Sequence, residues 1–181
     1  PLIGGMDWGL ADRLAAIRYV STATVSIGYR RSDLSHPLDG FGVVIPSKER
    51  RSITGCTWSS SKFVGRAPQG HVLIRCFLGG ATDEGPALLP LEEMVRIGRD
   101  ELRSIMGIEA EPACRWVYRW REGHPQYDVG HGDRLAEIDR RCAAHPGLYL
   151  AGSSYRGVGI PDCIYQGAQV AEAILKSHAT M

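Results

Sequence analysis

The run Leu148-Tyr-Leu-Ala-Gly-Ser-Ser-Tyr-Arg-Gly-Val-Gly-Ile-Pro-Asp-Cys163, continued by an apolar stretch to residue 176, constrains this chain most. Residues 148–151 read as a short buried strand. Gly152 lets the chain turn, and Ser153 and Ser154 place hydroxyls at the turn. Gly157 and Gly159 remove side chains, so that a flat ligand can approach bare backbone. Pro161 suits a first helical turn, and Asp162 sits in the same turn. Residues 163–176 read as the helix that follows. A helix N-terminus carries unpaired N–H groups and partial positive charge, which favour an electron-rich ligand. The third glycine of a dinucleotide fingerprint is missing. Spacing alone favours a plain strand-turn-helix whose glycines serve close packing.

Composition narrows the rest. With 181 residues, 44% apolar and 23% charged, the chain is long enough and apolar enough for a packed core. A formal net charge of +1 gives no case for nucleic acid or an anionic membrane as the main partner. Arginine far outnumbers lysine, and its planar fork suits carboxylates, although codon usage explains most of the excess. Five cysteines, none in a Cys-x-x-Cys pair, point to a reducing compartment and no structural zinc. No secretory signal and no membrane-length apolar window are expected. Peripheral attachment through an apolar patch is compatible with the composition.

Hydrophobic periodicity predicts helices over 6–19, 91–106 and 135–142, the last with Asp133 as its N-cap. It predicts strands over 22–29, 42–45, 52–58, 71–78 and 113–120. Residues 48–51 read as a charged hairpin turn, and 59–70, 79–87 and 122–133 as loops. The order fits an α+β layer with a mostly antiparallel sheet flanked by helices, closed by the strand-turn-helix. Cys56, Cys76 and Cys114 fall in strands as small hydrophobes. Trp116, Tyr118 and Trp120 share one strand face, a pattern more common in cores than on binding surfaces. Ser59, Ser60 and Ser61 lack a His-Asp partner pattern and give no case for nucleophilic catalysis.

Three blocks carry a resemblance. They are the glycine-rich run above, the sheet block from Gly40-Phe-Gly-Val-Val-Ile-Pro46 through Gly79-Gly80-Ala81, and Pro125-Gln-Tyr-Asp-Val-Gly-His131. In order and without large gaps, they resemble the C-terminal part of the FAD-dependent protoporphyrinogen and coproporphyrinogen oxidases. The resemblance implies a substrate-binding portion at 1–130 and a return segment of the FAD-binding domain at 131–181. It implies flavin contacts at Gly152, Ser153, Gly157, Val158 and Gly159, with Tyr155 and Arg156 shaping the pocket. Only this C-terminal part of the FAD site is present, because no Gly-x-Gly-x-x-Gly unit for the ADP half occurs.

The implied activity is oxidation of a porphyrinogen to a porphyrin in haem biosynthesis, with dioxygen as acceptor. Coproporphyrinogen III and protoporphyrinogen IX both stay open as substrates. No catalytic acid or base stands out, no metal is expected, and the chain alone is expected to be inactive. His131 reads as a structural residue at a helix start or as a proton relay. The aromatic strand face offers a porphyrin plane something to stack on. A cytoplasmic setting, with or without membrane association, follows from the same resemblance. The alternatives are another amine-oxidase-like flavoprotein, or a non-catalytic module that associates with itself through an orphaned edge.

Overall fold

The computed structural model describes residues 3–179. The chain divides into two compact units, one of Val20–His124 and one of Pro1–Tyr19 with Pro125–Met181.

The first of these units is built on a five-stranded sheet in the order β2-β3-β4-β1-β5. Its strands are β1 (Tyr19–Arg30), β2 (Gly42–Val44), β3 (Gly55–Trp58), β4 (His71–Gly79) and β5 (Cys114–Pro125). β1 and β4 run antiparallel with Thr22 opposite Gly79 and Arg30 opposite His71. That register puts Ala23, Val25, Ile27 and Tyr29 on one face with Val72, Ile74, Cys76 and Leu78, because side chains alternate along a strand. All eight are buried.

Helix α4 (Leu91–Met106) covers this face with Met94, Val95, Leu102 and Met106. Gly98 lets α4 come close: a Cβ there would stand 3.3 Å from Val25 Cγ1. The helix ends, as its sequence predicts, at Gly107 in the left-handed region. Two short helices, α2 (Ser59–Lys62) and α3 (Gly85–Leu88), lie where loops are predicted. The Ser60 hydroxyl in α2 accepts the Leu73 N–H, so this serine is a structural acceptor as well as a surface hydroxyl.

The opposite face of the sheet carries the aromatic residues of β5. Cys114 Sγ lies over Gly28, 2.5 Å from where a Cβ would be, which sets the face that Trp116, Tyr118 and Trp120 share with Gly28. These three are 50%, 57% and 48% exposed, so they are not core. The core reading fails because α4 lies on the other side, where Val117 packs instead.

The second unit gathers α1 (Trp8–Ala15), α5 (His131–Cys142) and α6 (Ile160–Ala179). Leu10, Ile17, Leu135 and Ile138 form its core. Asp7 caps α1 by accepting the Leu10 N–H at 2.9 Å and also binds Arg141 of α5. α1 is shorter than its periodicity suggests, since residues from Tyr19 onward join β1. β5 runs on to Pro125 rather than ending at 120, because β1 is long enough to partner it: Ala113 N–H donates to Gly28 at one end and Glu122 N–H to Ser21 Oγ near the other. α5 begins four residues earlier than predicted, after Gly130 at φ 85°, and Asp133 lies inside its first turn. Residues 148–151 form no strand. A strand needs a neighbour for its ladder, and among the described residues none lies beside them. Residues 148–150 instead line an open cleft of about 360 Å³.

Candidate functional site

The turn between residue 151 and α6 is held by three side chains. Tyr127 and His131 stack with ring centroids 4.0 Å apart and planes 10° from parallel. The Tyr127 hydroxyl donates to the Ser153 carbonyl at 2.6 Å and accepts the Gly157 N–H at 2.9 Å. His131 Nε2 donates to the Tyr155 carbonyl at 2.9 Å, which assigns the proton to Nε2. His131 is buried, and its Nδ1 has no partner among the described residues. Of its two sequence readings, the structural role at a helix start is the one this geometry matches.

Asp162 is the third. Gly159 directly precedes α6, and Asp162 Oδ2 accepts its N–H at 3.2 Å. That is the carboxylate half of a capping box, reaching back three residues. A Cβ at Gly157 would meet Asp162 Cγ at 2.4 Å, and one at Gly159 would meet Asp162 Oδ2 at 2.8 Å. The space that these glycines open is therefore filled from within the chain. Gly157 also has φ 129°, a backbone state that side chains rarely adopt. Gly152 sits at φ 133° with open space around it.

Two of the expected bare N–H groups, those of Gly157 and Gly159, are thus engaged. The Val158 N–H between them has no partner among the described residues, and Val158 is 48% exposed. Ile160, Ile164 and Tyr165 continue an exposed apolar flank along α6. The buried residue of this helix is Gln166, whose Nε2 donates to the Asp162 carbonyl at 3.2 Å.

Tyr155 does not face outward. It packs on the core of its unit, and burial pushes its phenol pKa up. Arg156 pairs with Asp139 of α5. The Tyr19 hydroxyl hydrogen-bonds the Ser154 hydroxyl. Sequence reasoning missed the roles of Tyr127, Asp162 and Gln166. The Gly159-to-Asp162 spacing carries a capping signal that could have shown the second; no local pattern announces the first.

These residues suit a planar, neutral ring edge better than a phosphate. A phosphate calls for several converging N–H groups at a free helix N-terminus. Here the Asp162 carboxylate occupies that end, and the Val158 amide lies beside apolar surface. A flavin ring fits that arrangement, with the Val158 N–H as donor and Val158 and Ile160 as flank. Among the described residues no three His, Cys, Asp or Glu side chains converge as a metal site. No described helix is long and apolar enough to cross a membrane.

The family described as flavin containing amine oxidoreductase matches residues 5–175. The chain is 38% identical to coproporphyrinogen III oxidase of Bacillus subtilis (strain 168), over 92% of this chain and 37% of that protein. It is 31% identical to protoporphyrinogen oxidase of Homo sapiens, over 92% of this chain and 36% of that protein. A crystal structure provisionally assigned as a protoporphyrinogen oxidase, from Exiguobacterium sp. 255-15, superposes with a TM-score of 0.76 at 31% identity. That match covers 90% of this chain and 36% of the other. The chain thus spans little more than a third of the length of these relatives.

Proposed function

This chain belongs to the flavin containing amine oxidoreductases, and from that premise we propose that it is the C-terminal portion of an FAD-dependent porphyrinogen oxidase of haem biosynthesis. The observation that carries the reading is the braced glycine turn, which offers the Val158 amide beside an apolar flank at the start of α6. A bound FAD would supply the redox chemistry of the oxidation, with dioxygen as the proposed acceptor. The chain's own residues hold and orient. Gly152, Ser153, Gly157, Val158 and Gly159 form the backbone surface for the ring, with residues 131–181 as the returning FAD-domain segment and 1–130 as the substrate portion.

The exposed row of Trp116, Tyr118 and Trp120 supports a ligand built of aromatic rings, the pyrroles of a porphyrinogen and the plane of its porphyrin product, because such faces stack on π-systems. Tyr118 and Trp120 rings lie 6.4 Å apart and 30° from parallel, an open arrangement rather than a closed pair. Either coproporphyrinogen III or protoporphyrinogen IX is the substrate, in a cytoplasmic enzyme with or without peripheral membrane attachment.

The test gives each porphyrinogen to the flavin-loaded protein that carries this chain, and follows porphyrin fluorescence and oxygen uptake. Conversion of one or both supports the reading. A retained flavin with conversion of neither overturns it. The 181-residue chain alone, with FAD added, is expected to turn over neither. A second reading, a self-associating module, is favoured by the exposed Ile160, Ile164 and Tyr165. A defined dimer of the isolated chain in size-exclusion chromatography supports it, and a monomer removes it.

A further inference from the structure

We infer that Tyr127 and His131 are positioning residues, a stacked brace that presets the 153–159 turn and so fixes the direction in which the Val158 N–H is offered to a flavin ring. The inference rests on the reading above that this turn faces a flavin.

Three bonds carry it. The Tyr127 phenol uses its donor on the Ser153 carbonyl and its acceptor on the Gly157 N–H, closing a loop of five residues through one oxygen. His131 donates to the Tyr155 carbonyl, midway along that loop. The two rings stack, so neither can shift without the other. His131 is 8% exposed with Nδ1 sealed and unpartnered, which costs stability. The ring is held by its Nε2 bond and its stacking. With Asp162 fixing the Gly159 N–H from the other side, the amides flanking Val158 are both tied down. A loop fixed at alternate amides has few ways to turn the one between them. Preset geometry of this kind removes ordering cost from ligand binding.

Neither residue touches the reacting atoms in this scheme; both act through the backbone of the turn. The geometry gives these two aromatic residues a specific task.

Two measurements test it. In the isolated full chain, amide exchange across residues 152–163 is compared for the wild type, Tyr127→Phe, His131→Leu and His131→Gln. Tyr127→Phe keeps the ring and the stack but loses both bonds. Exchange at Gly157 is expected to rise roughly tenfold, the equivalent of one lost hydrogen bond, with β1–β4 peptides unchanged. His131→Leu is expected to loosen the same turn, and His131→Gln, which retains an N–H donor, to recover part of the protection. Unchanged Gly157 exchange in both Tyr127→Phe and His131→Leu overturns the brace, whatever binds there.

In the flavin-loaded protein that carries this chain, Tyr127→Phe is expected to weaken flavin affinity about tenfold and to shift the flavin absorbance and its midpoint potential. His131→Gln is expected to stay nearer the wild type than His131→Leu. Faster exchange with unchanged flavin affinity, spectrum and potential overturns the positioning role and leaves a structural brace. A wild-type protein that holds no flavin overturns the functional reading itself, and the exchange data separate that failure from failure of the brace. If Tyr127→Phe does not fold, the His131 pair carries both tests.

Discussion

β1 and α6 treat apolar side chains in opposite ways. On β1, Val25 and Ile27 are fully buried, and Ala23 and Tyr29 are 1% exposed, under a helix that closes to within contact through Gly98. On α6, Ile160, Ile164, Tyr165 and Leu175 are all more than 60% exposed, while a glutamine is buried. α4 covers one face of the sheet unit, while the other keeps Trp116, Tyr118 and Trp120 exposed. Helix α6 keeps a face that suits further protein or ligand, as the proposed longer oxidase would supply. Stability therefore concentrates on the sheet face that α4 covers, and the proposed functional surfaces lie on the β5 aromatic face and on α6.

The sharpest way to break the comparison is a pair of truncations. Ile27→Ala is expected to cost roughly 2–5 kcal/mol of stability, and Ile164→Ala less than about 0.5 kcal/mol, both by urea unfolding. A comparable loss at Ile164 would mean that α6 is covered in solution, and the contrast would fall.

Alkaline unfolding should report the sheet unit next. Burial, helped by nearby Cys76, pushes the Tyr29 pKa up to about 12. A raised pKa means the folded state keeps a proton that the unfolded chain gives up near pH 10. The contribution is full below pH 10 and is lost as pH rises toward 12. Its size is on the order of 2 kcal/mol, and Tyr29→Phe should remove that part of the slope in a pH series of unfolding midpoints.

Gly157→Ala should act locally. The φ of 129° and the Asp162 carboxyl both oppose a Cβ. About 1–2 kcal/mol of strain is expected in the turn, seen as faster amide exchange at 153–159 with the sheet unchanged.

The smallest effect lies at the acid end. The Leu10 N–H, with His145 and Arg141, holds the Asp7 carboxyl below its usual range. A lowered pKa gives stability that is present above about pH 4 and lost as pH falls through the folded value. Asp7→Asn still caps α1 but should flatten that acid slope in thermal unfolding scans.

Much of the fold was legible in periodicity. Alternating β-branched residues marked β1, and Pro90 and Gly107 bracketed α4. The fold class and the family followed from the order of elements and from the aligned blocks. Elsewhere local pattern misled. Residues 148–151 have the composition of a strand but no neighbour to pair with. The β5 aromatics alternate like a core face, yet which face a helix covers depends on chain crossings that no local window contains. His131 was visible as a helix-start residue, while the Tyr127 bonds to residues about 30 positions away were not.

By itself, then, the sequence determined the strands of the sheet and the longer helices, though not all of their ends, that a glycine turn leads into α6, and which family the chain joins. Those features depend on local sterics, capping and the order of residues. Only the tertiary structure decided that Asp162 fills the space beside Gly157 and Gly159, and that the amides of these two glycines are engaged. The reason is physical: a backbone N–H is free or engaged according to what distant residues bring to within 3 Å or so of it, and that is a property of the packed chain.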